Sequence, residues 1–223
     1  QQLGDDRDFH SYVSKYDAEI RYLDAQFGRL VAALRELGFY EEALILFSSD
    51  HGESMGEHRH FFSHGEHLFK SQTHVPLIVK YGSELSGRRG GYVQHLDIVP
   101  TVLDLLNIDR DPRLRGRNLA IPSRDSEEIV AMMSMPPQSS LVYDGYKLLR
   151  HTKLGPFELF DLSADPGEQI NLIDDRAHQE RVAHMQARLA RIRDRDLLDL
   201  GPVRAPEPTP EEVEYLRAMG YLQ

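Results

Sequence analysis

The chain contains no cysteine and no tryptophan, and the lack of cysteine excludes several kinds of chemistry at once. Without thiols it cannot form a disulfide, hold a metal through thiolates or use a cysteine nucleophile, and its redox compartment stays undetermined. No apolar run approaches the roughly 18 residues that cross a bilayer, and nothing resembles a signal peptide. We therefore expect no membrane segment within these 223 residues.

Basic residues are also scarce, since 26 lysines and arginines stand against 36 aspartates and glutamates. The formal net charge of −10 argues against a clustered basic face of the kind that binds a nucleic-acid backbone. Hydrophobic residues at 40% and aromatic residues at 9% are values typical of globular proteins, which argues against wholesale disorder. The composition predicts a folded chain that does not bind nucleic acid.

Hydrophobic periodicity predicts an α/β fold for the first half of the chain. Apolar residues recur at helical spacing over residues 11–37, and Gly38 follows as a C-cap. Two continuous apolar runs, 43–49 and 75–81, are too short for helices and are typical of strands buried on both faces of a parallel sheet. A further helix is predicted over 97–108. This order favours part of a doubly wound mixed sheet flanked by helices.

The pattern changes near residue 120, where short strands replace long helices. Strands over 127–134 and 140–151, the second interrupted by the hairpin dipeptide Asp144-Gly145, predict a small antiparallel sheet. Helical spacing over 177–196 predicts a helix that packs on it. We divide the chain into a catalytic α/β portion, a small antiparallel subdomain, and a segment of helix, Pro-rich linker and short last helix, at residues 1–120, 121–175 and 176–223.

The densest set of polar side chains directly follows the first predicted strand. The stretch SSDHGESMGEHRHFFSHGEH, residues 48–67, carries Asp50 and His51 at the strand end. In open α/β sheets, ligands bind beyond the carboxyl ends of strands, and a carboxylate beside an imidazole suits a divalent cation. The alternative is that Asp50 caps a loop and the histidines are exposed, because polar residues crowd into loops.

Several motifs in a fixed order resemble one protein family. They are LFSSDHGESMGEH, HGEHLF, HVPLIVK and HLDIVPTVLDLL, followed by FELFDLSADPGEQINL and LRAMGYL. Together they resemble the C-terminal half of a sulfatase, in the alkaline-phosphatase superfamily, and linked motifs are more specific than any single one. The resemblance implies hydrolysis of a small-molecule or carbohydrate sulfate ester, and it favours a periplasmic or secreted location.

The resemblance also implies roles for four residues. Asp50 and His51 would be two ligands of one divalent cation, calcium first and Mn²⁺ or Zn²⁺ behind, although relatives often have asparagine at the second position. His64 stands where many relatives have a lysine or histidine that contacts the sulfate, so it would protonate the departing alkoxide. The alternative for His64 is a loop histidine bonded to the backbone. His74 takes a position often held by arginine, and it is interpreted as structural or substrate-binding.

Neighbouring polar residues receive less specific interpretations. His58 and His60 are interpreted as exposed loop histidines, and the alternative is that they line the mouth of a pocket. His67 and Lys70 are interpreted as packing or surface residues of a short helix. Glu53 is a candidate acceptor that orients the imidazole of the metal pair, as metal-bound histidines commonly require.

Two parts of the family's site do not occur in this sequence. Sulfatases use a formylglycine made from the motif Cys/Ser-x-Pro-x-Arg, and the PSR at 122–124 is preceded by Ile121 in the wrong region. The pair Asp5-Asp6 does not end an apolar strand, so we do not assign it to the metal. We expect the formylglycine and half of the metal shell in a missing N-terminal half upstream of Gln1. The chain alone would then be inactive, with an apolar face exposed.

Other functions remain open at this point. A phosphodiesterase or phosphonate monoester hydrolase of the same superfamily would share these motifs, and Asp6 to His10 has the Asp-x-x-x-His spacing of a two-zinc phosphodiesterase without its strand context. A non-catalytic sulfatase-like fragment would keep the fold as an interaction module. The nucleophile distinguishes these possibilities, and the sequence does not identify the ester, the oligomeric state or the metal.

Overall fold

A computed structural model describes residues 9–82, 87–88, 90–121, 128–134, 137–152, 155–199 and 209–218. Helices and strands alternate in its first half. The α-helices are α1 (Phe9–Glu36), α2 (Lys70–Thr73), α3 (Ile98–Leu105), α4 (Gln179–Asp199) and α5 (Pro210–Ala218). The strands are β1 (Ile45–Ser48), β2 (Ser54–Met55), β3 (Phe61–Ser63), β4 (Leu77–Lys80), β5 (Ile129–Ser134), β6 (Pro137–Tyr143), β7 (Tyr146–Arg150) and β8 (Phe157–Asp161). None of the helices in these described ranges is both long and apolar enough to span a membrane.

The long helix α1 forms and ends as the periodicity predicts. Gly38 has a φ of 76°, and the Phe39 N–H donates to the Leu34 carbonyl oxygen at 2.9 Å, so the predicted C-cap is confirmed. No residue of α1 is buried, and Ile20 and Leu23 remain about half exposed. The helix therefore presents an apolar surface that the described part of the chain does not cover.

Strands β1 and β4 form a two-stranded antiparallel sheet, so the prediction of parallel pairing is wrong for these two strands. Ile45 pairs with Lys80, and Ser48 pairs with Leu77. Both strands are only partly buried, and Ile78 is 59% exposed. A continuous apolar run reports that a strand lies in a sheet, but it carries no information about the direction of the neighbouring strand.

The segment between β1 and β4 folds as a short hairpin followed by α2. Strands β2 and β3 pair antiparallel, with Ser54 opposite Ser63 and an irregularity beside that pair. The turn between them includes non-glycine residues in the left-handed region, His58 at a φ of 51° and Arg59 at 66°. This turn brings the residues after β1 close to those after β3.

The C-terminal region is a four-stranded antiparallel sheet in the order β5-β6-β7-β8. Asp144 and Gly145 both have positive φ, at 51° and 76°, which confirms the predicted hairpin turn. Helix α4 packs on one face of the sheet and buries an apolar core. Its members are Leu141, Leu148, Leu159, Val182, Met185, Leu189 and Ile192. The predicted α/β class, with a C-terminal antiparallel sheet and its packing helix, is confirmed.

Parts of the sequence interpretation lie outside the described residues. These parts are Asp5-Asp6, Asp6 as the partner of His10, the PSR at 122–124, and most of the Pro-rich linker. The last helix is described, and Thr209 and Glu212 form a reciprocal capping box at its start. The division at residues 120 and 175 stays a prediction.

A buried ion pair connects the C-terminal sheet to α2. The ammonium group of Lys147 on β7 lies 2.7 Å from Glu168 Oε1, and both side chains are almost completely buried. The other oxygen, Oε2, accepts from the backbone N–H of Lys70 at 2.6 Å, at the first residue of α2. Burial lowers the pKa of Lys147, and the nearby Glu168 carboxylate opposes that shift. The pair therefore fixes α2 against the sheet.

Replacing one member of this pair should destabilise the chain strongly. For Lys147→Met we expect a loss of roughly 3–5 kcal/mol in the free energy of unfolding, because Glu168 would stay buried without its cation. Arg181→Met is the matched control. Arg181 pairs with Asp144 at 2.7 Å on an exposed surface, so its loss should cost about 1 kcal/mol or less. Urea unfolding measures both, and equal losses would contradict the expectation.

Candidate functional site

After β1 the chain bends at Asp50, and side-chain hydrogen bonds hold this bend. The His51 N–H donates to Asp50 Oδ1 at 3.0 Å, and Ser49 Oγ donates to the His51 carbonyl oxygen at 2.7 Å. Partial burial raises the pKa of Asp50, but the hydrogen bond from the His51 N–H and the charge of His51 outweigh it, so the pKa lies below 3.8. The carboxylate is therefore ionised at neutral pH while remaining largely exposed.

The imidazole of His51 is oriented by the backbone. Its Nδ1 lies 2.8 Å from the Gly52 carbonyl oxygen, which can only accept, so Nδ1 carries the proton and Nε2 has a free lone pair in the neutral ring. His51 Nε2 lies 3.8 Å from Asp50 Oδ2. Two donor atoms bound to one divalent cation can lie at most about 5.2 Å apart, because each is within about 2.0–2.6 Å of the ion. The predicted pair thus fits a shared cation.

His64 lies directly after β3 and meets His51 across the hairpin. The two rings stack with their centroids 4.2 Å apart and their planes 22° from parallel. His64 Nδ1 lies 2.9 Å from Glu53 Oε2, so the carboxylate accepts its proton and leaves Nε2 available. The hydrogen-bond partner of His64 is therefore a carboxylate, whereas the alternative drawn from the sequence was a bond to the backbone. About half of the His64 side chain is exposed, so a small molecule can reach the ring.

Glu53 has a different partner from the predicted one. The sequence indicates it as the acceptor that orients His51, whereas its carboxylate binds His64 and the Gly52 carbonyl oxygen orients His51. The reason is geometric, since β2 and β3 pair with Ser54 opposite Ser63, which places Glu53 and His64 across the hairpin from each other. The closeness of Glu53 to His51 in the sequence therefore predicted the wrong hydrogen-bond partner.

The other histidines of the stretch form a second cluster of rings together with Phe69. His58 stacks on Phe69 with ring centroids 3.6 Å apart, and His60 packs against His67 at 4.2 Å. The interpretation of His58 and His60 as exposed is wrong, because both rings are half buried by these contacts. His67 is buried, in agreement with a packing role, and Lys70 is exposed.

The protonation state of His67 follows from its contacts. Burial lowers the pKa of His67 from 6.5 to about 4, and the charges of His60 and His58 lower it further. The Phe69 N–H donates to His67 Nδ1 at 3.2 Å, so a second ring proton would face that donor. His67 Nε2 lies 2.9 Å from Ser54 Oγ and donates to it in the neutral ring. His67 is therefore neutral, and its hydrogen bonds lie within the buried interior of the hairpin.

A large cleft adjoins the candidate residues. Its volume is about 1400 Å³, and its lining includes Asp50, His51, His64 and His74. His74, at the end of α2, is exposed. The cleft brings together all four residues that the sequence singled out. It also reaches the buried pair of Lys147 and Glu168, to which the sequence interpretation assigned no role.

The sequence interpretation missed Lys147 and Glu168 as residues near the site. Both line the cleft, and although Glu168 lies in the family-like segment 157–172, the sequence distinguished neither residue from its neighbours. Glu168 lies in the turn SADPGEQ with a φ of 57°, and Lys147 lies in an ordinary β-hairpin. Only the folded chain shows that the two side chains meet, so no pattern in the sequence could have identified the pair.

The predicted cation site is incomplete within the described residues. In those parts of the chain, no group of three or more histidine, aspartate or glutamate side chains is arranged to hold a metal ion. Asp50 and His51 supply two donor atoms, and His64 is engaged by Glu53. Further ligands would have to come from other protein residues, water or substrate.

Comparison with known proteins identifies relatives along most of the chain. A family model described as Sulfatase matches residues 1–108. An arylsulfatase from Clostridium perfringens is 31% identical over 183 residues, which cover 77% of this chain and 38% of the relative. A choline-sulfatase from Rhizobium meliloti is 32% identical over 189 residues, which cover 80% of this chain and 36% of the relative. The chain thus spans less than half the length of these curated relatives.

Solved structures share the fold at lower identity. BT4656, solved in complex with its substrate D-glucosamine-2-N,6-O-disulfate, has a TM-score of 0.76 and 19% identity, over 88% of this chain and 43% of that one. A phosphonate monoester hydrolase from Silicibacter pomeroyi has a TM-score of 0.67 and 24% identity, over 77% of this chain and 38% of that one. Identities this low show a common fold and do not distinguish the two chemistries.

The depressed pKa of His67 predicts a pH dependence of stability. The unfolded chain binds a proton at this residue below pH 6.5, whereas the folded chain does so only below about pH 4. The free energy of unfolding should therefore fall as the pH drops from 6.5 to 4, by roughly 3 kcal/mol from this residue. Urea unfolding at pH 7 and pH 4.5 measures the difference.

The variant His67→Gln isolates this contribution. Glutamine does not titrate, so the variant should lose less stability between pH 7 and pH 4.5 than the unchanged chain. His184→Gln is the control, because His184 lies on the exposed surface of α4. An unchanged pH dependence in His67→Gln would show that His67 is protonated in the folded chain.

Proposed function

Because the chain belongs to the sulfatase family, we propose that it supplies a cation-binding pair and a general acid for hydrolysis of a sulfate ester. The observation that carries this proposal is the stack of His51 and His64 at 4.2 Å beside Asp50, at the edge of a large cleft. One residue of the stack is free to bind a cation, and the other is free to transfer a proton. The substrate is a small-molecule or carbohydrate sulfate ester.

Asp50 and His51 hold one divalent cation in this proposal, calcium first and Mn²⁺ or Zn²⁺ behind. The ionised carboxylate and the Nε2 lone pair of His51 are adjacent, and the Gly52 carbonyl oxygen keeps the ring in the required tautomer. A bound cation would polarise a sulfate oxygen and lower the pKa of the nucleophile. We propose that the nucleophile is a formylglycine, which this chain does not contain, so the chain alone would be inactive.

His64 acts as the general acid on the leaving group. Glu53 accepts the proton on Nδ1, so the second proton of the charged ring lies on Nε2. Transfer of that proton to the departing alkoxide oxygen neutralises the charge that develops when the sulfur–oxygen bond breaks. The Glu53 carboxylate stabilises the protonated ring before the transfer.

His74 contributes to substrate binding. It lines the same cleft from the end of α2 and is exposed, so its ring N–H groups can donate to an oxygen of the sulfate group. Support for a carbohydrate ester comes from the relative BT4656, whose substrate is D-glucosamine-2-N,6-O-disulfate. The phosphonate monoester hydrolase neighbour supports a second candidate function, hydrolysis of a phosphonate or phosphate ester on the same fold.

These functions are distinguished by the rates at which the full-length protein hydrolyses different esters of one alcohol. We expect faster release of 4-nitrophenol from its sulfate than from its phosphate or phenylphosphonate. A preference for the phosphonate would support the second candidate. An absence of all three activities, with an intact nucleophile and added calcium, would support a non-catalytic interaction module.

Asp50→Asn should weaken binding of the divalent cation. The amide lacks the negative charge, so we expect at least about a tenfold higher calcium concentration for half-maximal binding, measured by titration calorimetry on the full-length protein. Sulfate release should need more calcium by the same factor, and a chelator should abolish it. The control is Asp111→Asn, an exposed aspartate paired with Arg113. Equal calcium affinity in Asp50→Asn and the unchanged protein would contradict the assignment.

His64→Asn should slow hydrolysis in a way that depends on the leaving group. Loss of a general acid costs on the order of 10²–10⁴-fold in kcat, most for alkyl sulfates, whose poor leaving groups need a proton. The effect should be much smaller for 4-nitrophenyl sulfate. His184→Asn serves as the control, because this histidine lies on the exposed surface of α4. A loss of equal size for both esters would argue against proton transfer by His64.

A further inference from the structure

Gln72 lies between the two arms of the hairpin that carries the candidate site. It is 5% exposed and belongs to α2. Its amide nitrogen donates to Ser54 Oγ on β2 at 3.2 Å and to the Ser63 carbonyl oxygen on β3 at 3.1 Å. The two hydrogens of a single amide group therefore connect both strands.

The backbone of Gln72 makes a third connection to the site. Its carbonyl oxygen accepts from the Gly52 N–H at 2.9 Å. A side chain on Gly52 would collide with the carbonyl oxygen of Ser71, so the chain after His51 lies directly against α2. Gly52 follows His51, and Ser63 precedes His64. Gln72 thus holds the immediate neighbours of both candidate histidines.

The orientation of the Gln72 amide is determined by its surroundings. The Ser63 carbonyl oxygen can only accept, so the amide nitrogen must face it. Ser54 Oγ receives a hydrogen bond from this amide and another from His67 Nε2, and its own hydroxyl proton can bond Ser71 Oγ at 3.1 Å. Because the network is buried, loss of the amide would leave polar groups without partners.

We propose that Gln72 is a positioning residue that sets the spacing between His51 and His64. The inference rests on the proposed function, in which the first histidine binds the cation and the second protonates the leaving group. The Gln72 amide fixes the hairpin arm before His64, and the Gln72 backbone fixes the arm after His51. Correct spacing matters because a small displacement of a catalytic group reduces the rate of the chemical step more than the binding of substrate.

The test is Gln72→Leu in the full-length protein with 4-nitrophenyl sulfate and an alkyl sulfate. We expect kcat for the alkyl sulfate to fall roughly 10- to 100-fold, with KM changed less than about threefold. The matched control is Gln179→Leu. The Gln179 amide likewise donates two hydrogen bonds, to the backbone carbonyl oxygens of Ile173 and Asp175, but it lies at the start of α4.

A spectroscopic measurement separates positioning from stability. In protein with ¹³C-labelled histidine, the ring signals of His51 and His64 should shift in Gln72→Leu and stay unchanged in Gln179→Leu, because the rings shield each other when stacked. Variants at each histidine assign the signals. Thermal unfolding of both variants shows that the rates refer to folded protein. If Gln72→Leu does not fold, Ser54→Ala removes one of the two side-chain bonds and should change the same signals.

The outcomes distinguish this proposal from the proposed function. Shifted histidine signals together with a lower kcat support it. Unchanged histidine signals, or a kcat loss that matches only the unfolded fraction, would overturn it. If the unchanged protein hydrolyses no sulfate ester, the proposed function fails, and the histidine signals still decide whether Gln72 sets the spacing of the two rings.

Discussion

One buried carboxylate, that of Glu168, connects the two halves of the structure. One of its oxygens accepts from the Lys147 ammonium group on the C-terminal sheet, and the other accepts from the Lys70 N–H at the start of α2. A buried charge is costly unless its partners stay in place, so this carboxylate favours a single arrangement of sheet and helix. The antiparallel sheet is therefore a support for the segment that carries the candidate site.

Hydrogen bonds of Gln72 connect α2 to the residues beside the two histidines. The helix holds the residue after His51 by its backbone and the residue before His64 by a side chain. The turn between β2 and β3 contains residues in the left-handed region, including His58 and Arg59, and such backbone conformations persist where surrounding contacts determine them. Two groups for which we propose separate chemical tasks are thus adjacent in space although a whole hairpin separates them in sequence.

Local features of the fold were predictable from the sequence because they depend on nearby residues. The end of α1 follows from Gly38, and the hairpin after β6 follows from Asp144 and Gly145, since few other residues accept positive φ. Pairing of β1 with β4 was not predictable from their apolar runs, which do not encode strand direction. The partner of Glu53 was also not predictable, because the pairing of Ser54 with Ser63 determines which imidazole it meets.

The sequence by itself determined the class of the fold, its helices and hairpins, and the family resemblance that singled out Asp50, His51 and His64. These depend on residue type and short spacing. The tertiary structure alone decided that the two histidines stack, and that Lys147 and Glu168 form a buried pair beside the cleft. Contacts of this kind join residues far apart in the chain, and their geometry depends on how helix and sheet pack.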